Sequence, residues 1–461
     1  RYRGSRGQGC PRSEQRFMGS KIRSPAFCKS KNGDCFMVLS RLKKVRLLFP
    51  LPAGEGKGEG ETTLVNSQAR RLRHYRKMNF EFATATRIIF GAGMLKQIGG
   101  LAREFGKHAL VVTGRNPARV AALLKHLEAN RIAATLFAVA GEPTIGLVEQ
   151  GIATARAAGC DLVIAFGGGS AIDAGKAIAA MLTNEGELLD YLEVIGRGRA
   201  LTKPSAPFIA IPTTAGAGAE VTRNAVLASP DHRFKVSLRS PLILPKVALV
   251  DPELTYELPP ATTATTGLDA LTQLIEPYTC CRTNPMVDAL CVEGIRRAAR
   301  SLRTAFADGQ NREAREDMCV ASLFGGLALA NAGLGAVHGF AAPIGGMFPA
   351  PHGAVCAALL PHVMAANLRA LRVRSPERDT LRRYDEIARL VTGNSPAYAD
   401  DGVRWVSDLV RDLHIPKLRE YGVRTEHVGE LVEKAAKASS MKANPITLTA
   451  DELAETLRVA I

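Results

Sequence analysis

No CxxC pair occurs in this chain, and its nine cysteines are scattered: Cys10, Cys28 and Cys35 near the start, then six more, with the adjacent Cys280–Cys281 unable readily to bridge itself. That pattern excludes a zinc ribbon and a disulfide framework. No uninterrupted apolar run reaches the ~18–20 residues of a membrane span, and no signal-type apolar segment precedes a small-residue cleavage site. The plain expectation is a cytoplasmic protein with no membrane partner. Internal repeats are also lacking. So is a basic bias in most of the chain, despite a net charge of +16. Residues 1–77 hold 19 Lys/Arg against 5 Asp/Glu, or +14, which leaves +2 for the other 384 residues. A nucleic-acid role therefore rests on this basic segment alone, and no nucleic-acid partner is expected for the rest.

The basic segment has no sustained periodicity and contains the low-complexity run "LLFPLPAGEGKGEGE". It reads as a disordered or non-native leader, with Met78 as the expected true start. The texture then changes. "MNFEFATATRIIFGAG" alternates like a strand, and "HALVVTG", "ATLFAVAG", "DLVIAFGGGS" and "PFIAIPTTAG" read as buried strands. Between them, 117–130 and 146–159 read as amphipathic helices. This alternation predicts a mainly parallel sheet covered on both faces. From about 256 the strand signals fade into Ala/Leu-rich helices, one spanning "AREDMCVASLFGGLALANAGLGAVHG". The expected architecture is an α/β nucleotide-binding domain over 78–255 and an all-α domain over 256–461, with 461 residues ample for two cores.

"AFGGGSAIDAGKAIA" runs a buried strand through three glycines into a helix predicted to start near Ala171, with Ser170 as a candidate N-cap. A helix N-terminus offers free N–H groups and a positive dipole end to a phosphate. Neither the GxGxxG fingerprint nor a Walker A is present, because Lys176 precedes Ala177 and the glycine spacing differs. "PTTAGAGAEVT" supplies a second Thr/Gly-rich turn after a strand. "TGLDALTQLIEP" places Asp269 and Gln273 four apart, on one helical face within an apolar segment. Downstream, "GAVHGFAAPIGGMFPAPHGAV" carries His338 in a helical, Gly-rich segment and His352 in a Pro/Gly turn. Two imidazoles and a semi-buried carboxylate suit Fe²⁺ or a catalytic Zn²⁺ with open positions. His362 in "LLPHVM" reads as structural.

"GGGSAIDAGKA", "PTTAGAGAEVT", "VDPEL", "TGLDALT" and "HG…PHG", in this order over 78–461, resemble the iron-containing (group III) alcohol dehydrogenases, relatives of glycerol dehydrogenase and dehydroquinate synthase. The resemblance implies a Rossmann-like parallel-sheet domain followed by a helical metal and substrate domain, as in dehydroquinate synthase. It implies an NAD- or NADP-dependent alcohol dehydrogenase or aldehyde/ketone reductase. The pyrophosphate would sit at Gly168, Gly169 and Ser170 with Asp173 nearby, and Thr213, Thr214, Thr222 and Lys235 would line the nicotinamide and ribose side. Gly114 stands where a ribose-binding Asp is frequent. With Arg115 beside it, a 2′-phosphate meets no repulsion, which tilts the reading towards tolerance of NADP(H). Asp269, His338 and His352 would act at the substrate oxygen and hold the metal. Gln273 occupies the place of a usual histidine ligand, and Ala342 replaces a histidine linked to proton movement.

Two readings stay open: a metal site using Gln273 or water, and metal-independent chemistry with His338 or His352 as hydrogen-bond donor or proton shuttle. Small-molecule alcohols or carbonyls are the expected substrates, and a homodimer is allowed. One alternative is a maleylacetate-reductase-like enzyme with reduced or no metal dependence, suggested by "ANAGLG" and "TNPM" and by Arg282 as an anion-binding candidate. A basic-arm nucleic-acid-binding protein and a catalytically inert relative are the others.

Overall fold

The structure, a computed structural model, describes residues 79–461. The readings of 1–77 and of Met78 as the start lie outside the described residues. The described residues fall within one compact unit.

Six parallel strands form the main sheet: β1 (Arg87–Phe90), β2 (His108–Thr113), β3 (Ala133–Ala138), β4 (Leu162–Gly167), β5 (Phe208–Pro212) and β8 (Val247–Val250). Their order is β1-β8-β5-β4-β2-β3. Parallel strands buried on both sides need apolar residues at every position, and β4 illustrates why. Leu162, Ile164 and Phe166 pack with the helices Ile98–Arg103 and Ala121–Ala129, while Val163 and Ala165 pack with Ile145–Ala157 and Gly169–Thr183. Each aliphatic chain so buried contributes about 1.5–3 kcal/mol. β3 is an edge strand, half-exposed rather than buried as its sequence suggested. "MNFEFATATRIIFGAG" yields only the four residues of β1.

An antiparallel hairpin of β6 (Asn224–Ser229) and β7 (Phe234–Arg239) escaped the sequence reading. It buries Ala225, Leu227, Val236 and Leu238 against the sheet's helical layer.

From Pro260 onward the described chain is helical. Helices Pro260–Thr279, Pro285–Ala307, Arg312–Asn331, Ala336–Met347 and His352–Arg374 share one core with Ala248 and Val250 of β8. The single helix read across "AREDMCVASLFGGLALANAGLGAVHG" is two helices, Arg312–Asn331 and Ala336–Met347, bent by 96°. Gly333 takes φ +115° in the break, a backbone state that L side chains rarely adopt. His352–Arg374 is long and apolar enough to cross a membrane, but 83% of its apolar window is buried inside the protein.

Candidate active site

β3 is added on one side of β2 and β4, β5 and β8 on the other, so the order of strand addition reverses between β2 and β4 while all strands stay parallel. The loops at their carboxyl ends diverge there, which opens the crevice where α/β sheets receive ligands. Gly114 follows β2, and Gly168 follows β4 as the N-cap of helix Gly169–Thr183. The helix thus starts two residues before the expected Ala171. Ser170 lies inside its first turn instead of capping it, and Gly168 provides no side-chain cap. The free N–H groups of that turn face the crevice at a bare, glycine-built end.

A cavity of about 1990 Å³ occupies the crevice and continues to the helical region. Its walls include Gly114, Arg115, Gly168, Gly169, Ser170, Asp173, Thr213, Thr214, Thr222 and Lys235, and also Asp269, Gln273, His338 and His352. The structure therefore brings every site residue named from the sequence to one cavity. Arg115 donates from Nη2 to the Ala140 carbonyl at 2.8 Å. Lys235 is 3.0 Å from Glu142 Oε1, and its side chain is almost wholly buried. Asp173 and Thr222 are tied together by Lys176, which is completely buried. Its ammonium donates to Thr222 Oγ1 and to the Asn224 carbonyl, both at 2.7 Å, and lies 3.5 Å from Asp173 Oδ1. Lys176 thus anchors the helix of the glycine loop to the hairpin. His362 does not line the cavity, and burial lowers its pKa, as suits a structural histidine.

At the far end, three helix segments converge. Asp269, Gln273 and Glu276 lie along one face of Pro260–Thr279, all three buried. His338 is in the first turn of Ala336–Met347. His352 opens His352–Arg374, so the Pro/Gly "turn" is a helix start and Cys356 lies one turn further on the same face. His338 Nε2 is 3.5 Å from Asp269 Oδ1, and His352 Nε2 is 3.8 Å from the same oxygen. Cys356 Sγ is 3.8 Å from His338 Nε2 and 3.7 Å from His352 Nε2.

Glu276, unnoticed in the sequence, fixes this geometry. Its Oε1 accepts from the Val337 N–H, and its Oε2 lies 2.7 Å from His338 Nδ1. A carboxylate there accepts from the Nδ1–H, which keeps the proton on Nδ1 and leaves Nε2 to face the cluster. Glu276 comes this close because residue 335 is glycine: a Cβ at Gly335 would stand 2.7 Å from Glu276 Oε1.

The electrostatics call for a cation. Asp269 Oδ1 is buried with no hydrogen-bond partner, and so is Gln273 Oε1. Burial alone would raise the Asp269 pKa, but His352 and His338 outweigh it and hold the carboxyl below its ordinary value. Burial would lower the His338 pKa, yet Cys356, Asp269 and Glu276 push it well above the usual range. A cation placed between His338 Nε2 and Asp269 Oδ1, which are 3.5 Å apart, would give the unpartnered carboxylate oxygen a partner. Asp269, His338, His352 and Cys356 offer four donor atoms within 4.8 Å of one another. Two imidazole nitrogens, a carboxylate oxygen and a sulfur form a donor set that fits a divalent metal.

Residues 85–252 match the family described as iron-containing alcohol dehydrogenase, and residues 263–461 match the C-terminal region of the same family. The chain belongs to the iron-containing alcohol dehydrogenases. Alcohol dehydrogenase 4 of Saccharomyces cerevisiae is 35% identical over 377 residues, covering 80% of this chain and 96% of the yeast protein. The 1,3-propanediol dehydrogenase of Klebsiella pneumoniae is 36% identical over 394 residues, covering 83% of this chain and 98% of its own. The crystal structure of a 1,3-propanediol oxidoreductase superposes with a TM-score of 0.77 at 35% identity, covering 83% of this chain and all of the other. This iron-containing alcohol dehydrogenase is thus a nicotinamide-dependent oxidoreductase acting on CH–OH groups, and the family implies a divalent metal besides NAD(P). The maleylacetate-reductase alternative gains no added support from these relatives.

Proposed function

We propose that the chain interconverts a small alcohol and its aldehyde or ketone at the junction of the glycine loop and the Asp269–His338–His352 cluster. A single observation carries this reading: one cavity joins the open helix N-terminus at Gly168–Ser170 to that cluster. When bound, the metal polarises the substrate oxygen and lowers the hydroxyl pKa, and the nicotinamide carries the hydride.

The chain's own residues have separable tasks. N–H groups around Gly168, Gly169 and Ser170 hold the pyrophosphate at the helix dipole, with Asp173 beside them. Thr213, Thr214, Thr222 and Lys235 line the nicotinamide and ribose side. Asp269, His338 and His352 hold an ion, Fe²⁺ or Zn²⁺. Gln273, one helical turn from Asp269, lines the same cavity and has a buried amide oxygen without a hydrogen-bond partner. His352 keeps 36% of its side chain exposed, which makes it the edge of the cluster nearest the substrate space. Ala342, also on the wall, offers no proton relay, so the hydroxyl proton leaves by water or another route.

Gly114 leaves the adenosine ribose without a neighbouring carboxylate, and Arg115 adds a guanidinium at the rim. This combination supports use of NADP(H) as well as NAD(H). The division into domains 78–255 and 256–461 is supported by the last sheet strand ending at Val250 and the first long helix starting at Pro260.

The test is a screen of NADH and NADPH oxidation over aldehydes, ketones and oxo acids, each with Fe²⁺, Zn²⁺ or chelator. Metal-dependent turnover of neutral carbonyls supports the reading; turnover confined to oxo acids, and indifferent to metal, overturns it.

A further inference from the structure

The family's usual ligand set has a histidine where this chain has Gln273, so one donor is missing from the position expected to supply it. A neutral amide oxygen is a weak replacement on a divalent transition metal. The structure puts a stronger donor nearby, on a different helix. Cys356 is fully buried, and its sulfur lies 3.8 Å and 3.7 Å from the two histidine Nε2 atoms.

We propose that Cys356 is a direct ligand of the site's divalent cation, taking up as thiolate the coordination position that Gln273 leaves. The proposal rests on the metal reading above and makes the set Asp269, His338, His352 and Cys356.

Tetrahedral geometry supports it. Metal–nitrogen and metal–oxygen bonds of about 2.0–2.1 Å and a metal–sulfur bond of about 2.3 Å require donor–donor edges of roughly 3.3–3.6 Å. Four of the six edges, 3.5, 3.8, 3.8 and 3.7 Å, lie within a few tenths of an ångström of those values, and the other two are no longer than 4.8 Å.

The remaining chemistry agrees. His338 Nδ1 is engaged by Glu276, so its Nε2 lone pair is available on the side where the sulfur lies. One S–H can donate to only one of the two Nε2 atoms, and Asp269 Oδ1 has no donor at all. A single cation bound to all four atoms satisfies every one of them. The helical register makes the arrangement local: His352 and Cys356 are four apart, the spacing that Asp269 and the missing histidine would have had on the facing helix.

Cobalt(II) reports thiolate ligation directly, through sulfur-to-cobalt charge-transfer absorption in the near ultraviolet. Metal-free full-length protein titrated with cobalt(II) alone is expected to bind one ion per chain and develop this absorption. Cys356→Ser is expected to lose the absorption and to bind cobalt at least about tenfold more weakly, a loss that outer-shell changes alone can reach. Gln273→Ala is expected to keep it. Far-ultraviolet circular dichroism confirms that each variant is folded, and the wild-type spectrum decides even if a variant is not. Cobalt bound without the absorption, or an absorption that persists in folded Cys356→Ser, overturns the ligand assignment and leaves the metal reading standing. No cobalt bound by the wild type overturns both.

Discussion

Glu276 Oε2 lies 2.7 Å from His338 Nδ1, on the side of the imidazole away from Asp269. The contact sets which ring nitrogen carries a proton and holds the other towards Asp269 and Cys356. Carboxylates behind metal-binding histidines orient the ring and raise its basicity. Glu276→Gln keeps the shape of the side chain but weakens that acceptor. Metal affinity is expected to fall about 10–100-fold, measured by competition with a chromophoric chelator. An unchanged affinity would make the contact merely structural.

Glu220, beside the second cofactor loop, gives a pH signature. Burial pushes its pKa up to about 7, more than its own backbone hydrogen bond and the Lys176 charge pull it down. A carboxyl near about 4.3 in the unfolded chain and near 7 in the folded one binds its proton more tightly when folded. Its contribution is thus full below about 4.3 and is lost as pH rises towards 7, a penalty of roughly 3–4 kcal/mol. Glu220→Gln removes the penalty. In urea unfolding, the variant's stability relative to wild type should rise between pH 5 and 7 and then level off. A difference independent of pH would contradict this.

Gly114 and Arg115 set the cofactor prediction. Gly114→Asp places a carboxylate at the carboxyl end of β2, where it accepts from a ribose hydroxyl and repels a 2′-phosphate. The ratio of kcat/KM for NADPH to that for NADH is expected to fall by at least about tenfold, equivalent to about 1.4 kcal/mol. Steady-state rates with both cofactors check it. A wild-type enzyme already confined to NADH would refute the underlying reading.

Much of this was legible in the sequence, for identifiable reasons. The strands of "HALVVT", "LVIAFG" and "FIAIP" are apolar at every position because helices cover both faces of the sheet, and that leaves a plain linear mark. Asp269, His338 and His352 were found because each has a distinctive chemistry inside an apolar segment. Cys356 was hidden by Pro351 and Gly353, which read as a turn around His352. Only a helix starting at His352 makes the interval of four meaningful. Glu276 shares a helical face with Asp269 and Gln273, a spacing that was available, but its role depends on a backbone break near Gly333 that turns His338 towards it. The hairpin at 224–239 consists of two six-residue strands whose alternation is short and polar-rich, and it gains its stability from the layer beneath.

The central claim is that a divalent ion in the Asp269–His338–His352 cluster is required for turnover. Metal content and alcohol-dependent NAD(P) reduction measured on the same protein, before and after exhaustive chelation and after readdition of Zn²⁺ or Fe²⁺, test it most directly. The account predicts about one ion per chain at full activity, loss of both on chelation and recovery of both on readdition. Full activity in protein shown to be free of metal would contradict it.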